Sequence, residues 1–331
     1  MVTGKVYVIA EIGINHEGDV EICGKMIEAA SEAGVNAVKL QTVDADESYV
    51  VGTESHRLYA RTSLTREETA RMFSLARKKN LEIFTTAGDC FTLDWVETLQ
   101  PFAHKISSGL LTHTPLIRQA AHYGRPIIVS TGIASVGEID AAVEVIRDVG
   151  NEKLTLLQCT SKYPTPPESM QLSAIEWMRC RWGVQIGLSD HSQGDDAAFL
   201  AVGAGAVMIE KHFSLDPMRP SFDHRISVDA VGLRHLVSKV RLAESMMGSE
   251  GKVVAVDMSG ARAELMRCLV ARKAIIKGER FTIENLAVKR PLPSLRGLEP
   301  GNFYKVIGKR AVRNRKQDEP VTTNDVEGLL N

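Results

Sequence analysis

Residues 184–213 read VQIGLSDHSQGDDAAFLAVGAGAVMIEKHF. The stretch opens on the apolar run VQIGLSD, passes through a helical pattern over Asp195–Val202, and returns to AVMIEKHF from Ala206. Both runs read as strands buried on two faces, as parallel strands are. Parallel neighbours need a crossover, and the intervening helix supplies it. The same unit recurs upstream. VYVIAEIG from Val6, AVKLQT from Ala37, LEIFTTA from Leu81, HKISSG from His104, PIIVSTG from Pro126 and LTLLQCT from Leu154 bring the strands to eight. Helices are predicted over 20–33, 65–79, 91–99, 114–123, 136–149, 172–181, 195–202 and 228–247. The first carries Ile22, Met26, Ile27, Ala30 and Ala33 on one stripe. The second starts on a capping box, Thr65 with Glu68. Eight strands alternating with eight helices predict an α/β chain folded as a (β/α)8 TIM barrel. A doubly wound open sheet is the alternative, and no GxGxxG follows the first strand to support it.

Beyond the last helix the pattern changes. Residues 1–248 are expected to form the barrel, 249–262 a polar linker and 263–331 a small β-rich domain. In that domain KGE and QDEP mark turns between short strands. The chain has 331 residues, 40 basic and 41 acidic, for a net charge of −1. From Arg262 onward there are 15 basic and 8 acidic residues, which leaves 25 and 33 before it. A near-neutral total argues against a nucleic-acid binder. The start, MVTGKVYVIAEIG, lacks the apolar run of a signal peptide, and no apolar stretch is long enough to span a bilayer. The five cysteines are scattered, with no CxxC pair. A cytoplasmic setting without membrane attachment is therefore expected.

A barrel of this kind carries its chemistry where the strands end. Those ends supply Glu11, Lys39, Gln41, Thr86, Lys105, Ser108, Ser130, Ser189, His191, Glu210 and His212. Loops are polar, which explains the hydroxyls singly. It does not explain two lysines, two glutamates and two histidines at one mouth, because isolated charges are rarely buried. Lysines beside hydroxyls suit a phosphate and a carboxylate. Two histidines on adjacent strands suit a divalent metal whose open positions take water or substrate.

The segments AEIGINHEGD, VKLQT, KISSG, STG, LLQCTSKYPTPPE, IGLSDHS and EKHF, in that order, resemble the sialic acid synthase family. The tail, with RCLVARKAIIKGE, VKRP and VIGKRAV, resembles the antifreeze-like SAF domain that follows the barrel in those enzymes. The resemblance implies a transferase that joins phosphoenolpyruvate, through its C3, to the aldehyde of an open-chain N-acetyl amino sugar. Water adds at C2, phosphate leaves, and a nonulosonic acid results. It implies Lys39, Gln41, Thr86, Lys105, Ser108, Ser130, Ser161 and Ser189 around phosphoenolpyruvate. It implies His191 and His212 on a divalent metal, Mn²⁺ with Mg²⁺ or Co²⁺ as alternatives. Glu11 and Glu210 are the expected catalytic carboxylates, joined by Tyr163 and Asp223 at the sugar. Arg267 is expected to reach the sugar from the tail of a partner subunit in a domain-swapped homodimer.

Four features depart from the family pattern. Leu110 stands where a sugar-contacting Glu is usual, FTTAG replaces a more usual STP-type sequence after strand three, Ser161 replaces a common Asn, and RCLVA replaces a more usual RSL-type start. The phosphoenolpyruvate half of the site is thus expected intact and the sugar half altered. Two alternatives remain open at this point. One is a Schiff-base aldolase using Lys39, Lys105 or Lys162. The other is a sugar-binding relative that has lost the chemistry.

Overall fold

The computed structural model describes residues 4–220, 223–248, 251–252, 254, 258–292 and 294–329. The chain divides into two compact units, Met1–Gly248 and Ser249–Asn331. In the first, eight parallel strands close in chain order into a barrel. They are β1 (Tyr7–Gly13), β2 (Ala37–Thr42), β3 (Glu82–Ala87), β4 (His104–Ile106), β5 (Ile127–Ser130), β6 (Leu154–Cys159), β7 (Gln185–Asp190) and β8 (Met208–His212). Ladder pairing of β1 with β8 closes the ring, setting Glu11 beside His212. The barrel expected from the strand–helix alternation is the one observed.

Helices α1 (Val20–Ala33), α2 (Ala45–Ser48), α3 (Glu54–Thr62), α4 (Arg66–Lys78), α5 (Cys90–Thr98), α6 (Thr114–His122), α7 (Val136–Asp148), α8 (Ala174–Trp182), α9 (Asp196–Gly203) and α10 (Ala230–Met247) connect and cover the strands. Local chemistry fixes their starts. The Asp19 carboxylate accepts the Glu21 and Ile22 amides at the head of α1, and the Thr65–Glu68 capping box opens α4 as expected. Gly34, left-handed at φ 83°, ends α1 where a side chain would be strained. Helices α2 and α3, between β2 and α4, are additions to the expected set.

Side-chain alternation along the strands builds two cores. Outward residues such as Val8, Ala10, Val38, Ile83, Ile127, Ile186 and Ile209 pack with the helices. Inward residues Ile9, Ala37, Phe84, Ala103, Ile128, Leu157 and Met208 fill the barrel. Gly187 belongs to this inner layer, since a Cβ there would lie 2.5 Å from the Met208 carbonyl and 2.6 Å from Leu157. Gly187→Ala should therefore destabilise the barrel by about 1–3 kcal/mol, read as a lower denaturant midpoint at unchanged slope.

The second unit has a core of Leu269, Ala271, Ile275, Phe281, Leu286, Val306, Ala311, Val321 and Val326. Its regular sheet is one antiparallel pair, β9 (Cys268–Ala271) with β10 (Leu286–Lys289). The QDEP half is held by isolated bridges such as Val270 with Pro320 and Ala311 with Val326. Helix α11 (Ser259–Leu265) begins inside the segment expected to be a linker, of which 249–250, 253 and 255–257 lie outside the described residues. The short helix α12 (Phe303–Val306) completes the unit's described helices.

Candidate active site

Two residues beyond the inner apolar layer, each strand points one side chain toward the C-terminal mouth: Glu11, Lys39, Thr86, Lys105, Ser130, Cys159, Ser189 and Glu210. The two-residue period dictates this, because Ile9 and Glu11, or Met208 and Glu210, share a face. All eight are buried. A layer of aliphatic residues would have completed the barrel. A polar one needs partners or a ligand.

Most of these groups and their neighbours line one cavity of about 310 Å³. Its walls hold Glu11, Lys39, Gln41, Lys105, Ser108, Ser130, Ser161, Tyr163, Ser189, His191, Glu210, His212 and Asp223. Thr86 sits just outside, as an acceptor 3.4 Å from Lys39 Nζ. Arg267 lies in the second unit, exposed, on a groove with Arg262, Arg296 and Glu299. The cavity also includes Tyr59, Ser107, Ile133 and Cys159. Tyr59 is an addition to the expected set, supplied by α3, a segment for which no element is predicted from sequence. Its hydroxyl donates to Gln41 Oε1 at 2.7 Å.

At the cavity floor, Lys39 Nζ lies 2.7 Å from Glu11 Oε2 and 3.8 Å from Glu210 Oε2. Lys105 Nζ donates to Ser130 Oγ at 2.7 Å and lies 3.7 Å from Glu210 Oε1. Ser189 donates to that same Glu210 oxygen at 2.9 Å. The two carboxylates thus differ in surroundings. Burial raises both, but Lys105 and Lys39 flank Glu210 and hold it below its ordinary range. Glu11 has one close lysine and the repulsion of Glu210, so burial prevails and its carboxyl is raised. Burial lowers Lys105, and its carboxylate neighbours only partly offset this. Lys39 is raised, since Glu11 and then Glu210 outweigh its burial. Of the two carboxylates on this floor, Glu11 is the one that burial pushes toward its neutral form, a direction that a bound anion would reinforce.

One wall is a set of hydroxyls. Ser108 Oγ accepts the Gly132 amide at 2.9 Å. A Cβ on Gly132 would lie 2.4 Å from Ser161 Oγ and 2.9 Å from both Ser108 Oγ and Cys159 Sγ. The glycine after β5 lets these groups converge. Gly132→Ala should raise KM for an anionic substrate roughly tenfold, as overpacking costs about 1–3 kcal/mol. Steady-state kinetics with circular dichroism as the folding control checks this.

The opposite wall holds the two histidines, ring centroids 5.2 Å apart. Burial and the neighbouring His212 push His191 down to about 4. Burial and nearby Lys39 push His212 down to about 3. Both rings are neutral near pH 7 and offer lone pairs. The Thr160 carbonyl lies 3.0 Å from His191 Nδ1 and accepts its proton, leaving Nε2 as the free donor atom. His212 Nδ1 is buried without a hydrogen-bond partner, with Asp223 Oδ2 at 3.6 Å. Neutral, paired imidazoles with an unpartnered buried nitrogen fit a divalent cation that shares its coordination with water or substrate. Among the described residues no cluster of three or more His, Cys, Asp or Glu forms a complete protein ligand set. Tyr163 stacks on His191 at 4.3 Å, and Arg225 donates to the Tyr163 carbonyl at 2.9 Å. Burial raises both Tyr163 and Asp223. Among the described residues, no helix is long and apolar enough to cross a membrane.

Behind this wall runs a second ion pair. Lys211 Nζ donates to Asp190 Oδ2 at 2.8 Å, and both side chains have 0% exposure. Asp190 Oδ1 also accepts from the Ser192 amide and hydroxyl, at 2.8 and 2.6 Å. The pair ties β7 to β8 immediately before His191 and His212.

The NeuB family model matches residues 26–252, and the SAF domain model matches residues 267–327. The chain is 34% identical to a pseudaminic acid synthase of Campylobacter jejuni, over 98% of this chain and 97% of that one. It is 31% identical to an N,N'-diacetyllegionaminic acid synthase of the same species, over 95% of this chain and 98% of the relative. Among solved structures it resembles the N-acetylneuraminic acid (sialic acid) synthetase of Leptospira borgpetersenii. The TM-score is 0.75 at 30% identity, covering 79% of this chain and 92% of that one.

Proposed function

The chain belongs to the NeuB family, and from that premise we propose that it condenses phosphoenolpyruvate with the open-chain aldehyde of an acetamido sugar, releasing phosphate and a nonulosonic acid. The observation that carries this reading is the cavity floor: two buried lysines shared unequally between Glu11 and Glu210. Such a floor binds a small polyanion and holds two carboxyl groups in different protonation states. Lys39, Lys105 and the hydroxyls of Ser108, Ser130, Ser161 and Ser189 take the phosphate and carboxylate, with Gln41 and Thr86 at the edge.

The bond from C3 of phosphoenolpyruvate to the aldehyde carbon forms as the aldehyde oxygen gains charge. Neutral Glu11 gives that oxygen its proton. Water then adds at C2 and passes a proton back to Glu11. The C2–O bond to phosphate breaks, phosphate leaves with its electron pair, and it takes up the proton of the C2 hydroxyl as the ketone forms. Glu210, ionised throughout, fixes the two lysines and keeps their charge on the substrate. Tyr163 and Asp223 orient the sugar. His191 and His212 would hold a divalent cation, Mn²⁺ in the first instance, which when bound supplies Lewis-acid polarisation of the aldehyde. The basic C-terminal unit, with Arg267, is proposed to act at a sugar site in a homodimer. Truncation before Arg262 should then raise KM for the sugar far more than KM for phosphoenolpyruvate.

The test is phosphate release from phosphoenolpyruvate with Mn²⁺ and a panel of 2-acetamido and diacetamido sugars. Release that requires both a sugar and a chelatable metal supports the reading. Glu11→Gln should lower kcat by about 10²–10⁴-fold with little change in KM for phosphoenolpyruvate. In the native enzyme, activity should persist at neutral pH. It should fall as pH rises through the elevated Glu11 value, because the proton donor is then lost.

A further inference from the structure

The turn after β1, with Asn15 and Glu17, takes no part in the chemistry above, and neither residue lines the cavity. Both nonetheless bind the loop that follows β8. The Asn15 amide is 3% exposed and donates to the Phe213 carbonyl at 2.9 Å and to Ser227 Oγ at 3.0 Å. The Ser227 hydroxyl donates in turn to the Asp223 carbonyl at 2.6 Å. Glu17 is left-handed at φ 53°, where few residues other than glycine sit. One of its carboxylate oxygens lies 3.1 Å from His224 Nε2, and the other pairs with Arg219 at 2.9 Å. His224 Nδ1 lies 2.6 Å from Ser214 Oγ. A carboxylate only accepts, so Nε2 carries a proton, and in the neutral ring Nδ1 accepts from the serine. Ser, His and Glu in that order suggest an activated nucleophile. Ser214 and His224 are each 1% exposed, however, and Ser214 Oγ already accepts the Asp216 amide at 3.0 Å. The array is a buried link between two loops.

We propose that Asn15, Glu17 and His224 are positioning residues for the acceptor sugar. They clamp the loop after β8 to the turn after β1 and so hold Asp223 at the cavity wall, 3.6 Å from His212 Nδ1. His224 directly follows Asp223 and opens a short 3-10 turn, His224–Ile226. Fixing its ring on one side of the backbone fixes the Asp223 carboxylate on the other. The inference rests on the synthase reading, in which Asp223 orients the sugar. It adds that the phosphoenolpyruvate half is indifferent to the clamp, since Lys39, Lys105, Ser130 and Ser189 stand on β2, β4, β5 and β7.

Steady-state kinetics of the full-length enzyme, with each substrate varied in turn, tests the clamp. Glu17→Ala, at a partly exposed position, should lower kcat/KM for the sugar by about ten- to a hundredfold and leave KM for phosphoenolpyruvate within about twofold. His224→Leu should match it, with circular dichroism as the folding control. Glu17→Gln keeps an oxygen that accepts from Nε2, so it should stay within about threefold of wild type. Because the clamp acts through Asp223, Glu17→Ala added to Asp223→Ala should cost less than about a further threefold. Equal rises in both KM values, losses that multiply in the double variant, or a Glu17→Gln enzyme as poor as Glu17→Ala would overturn the clamp while the synthase reading stands. If no acceptor releases phosphate, the synthase reading fails. Hydrogen exchange over residues 223–227, which needs no turnover, then decides the clamp. Faster exchange in Glu17→Ala with native exchange in Glu17→Gln upholds it, and any other pattern overturns it.

Discussion

Replacing Lys105 with Met should lower kcat/KM for phosphoenolpyruvate by roughly 10³-fold while the protein stays folded. Lys105 is buried between Ser130 and Glu210, at 2.7 and 3.7 Å. Removing it takes one of two cations from the anion site and leaves Glu210 with Lys39 alone, 3.8 Å away. Truncating one partner of such a buried charge pair costs about 2–5 kcal/mol, and a loss of that size spans the expected factor. Lys105→Arg should restore little, because a planar guanidinium does not occupy the space of an ammonium packed on Ser130. The depressed basicity of Lys105 is also what a Schiff-base lysine would show, so the variant alone does not separate the two chemistries. Borohydride treatment does. The synthase account expects no lysine adduct with substrate present and full loss of activity in chelator. An aldolase would give the reverse.

Lys211→Met should lower stability by about 3–5 kcal/mol, because it strands the Asp190 carboxylate where both side chains have 0% exposure. For a unit of this size the melting temperature should fall by roughly 10 °C. The double variant Lys211→Met with Asp190→Leu should recover part of that loss, since the stranded charge is gone while the Ser192 amide and hydroxyl lose their acceptor. The double variant should still show weaker metal-dependent activity. Asp190 also holds the turn through Ser192, and His191 and His212 directly follow the two paired residues. Scanning calorimetry checks the first effect and a Mn²⁺ titration of fluorescence the second.

Much of this arrangement is legible in the sequence because it follows from a period of two. Once VQIGLSD and AVMIEKHF are strands of one barrel, Ser189 and Glu210 must share its interior. Lys211, one step out of phase, must leave it. Helix α1 was readable to its first and last residue, as its apolar stripe is flanked by Asp19 and Gly34. What sequence did not reveal depends on contacts between distant segments. Tyr59 enters the cavity because α3 folds over β2, and ESHRLYART carries little apolar signal of its own. The unequal states of Glu11 and Glu210 depend on which carboxylate lies between two lysines. The tail was readable as small and turn-rich, but its strands are short and half of its pairing is by single bridges.

Mass spectrometry of the product formed from phosphoenolpyruvate, Mn²⁺ and the diacetamido sugar panel tests the central claim most directly. The account predicts an acceptor lengthened by three carbons as a 2-keto acid, with one phosphate released per molecule formed. It also predicts that both products form roughly 10³-fold more slowly with Lys105→Met at low phosphoenolpyruvate. Phosphate release without a lengthened sugar, or lengthening that persists in chelator with a trapped lysine adduct, would contradict it.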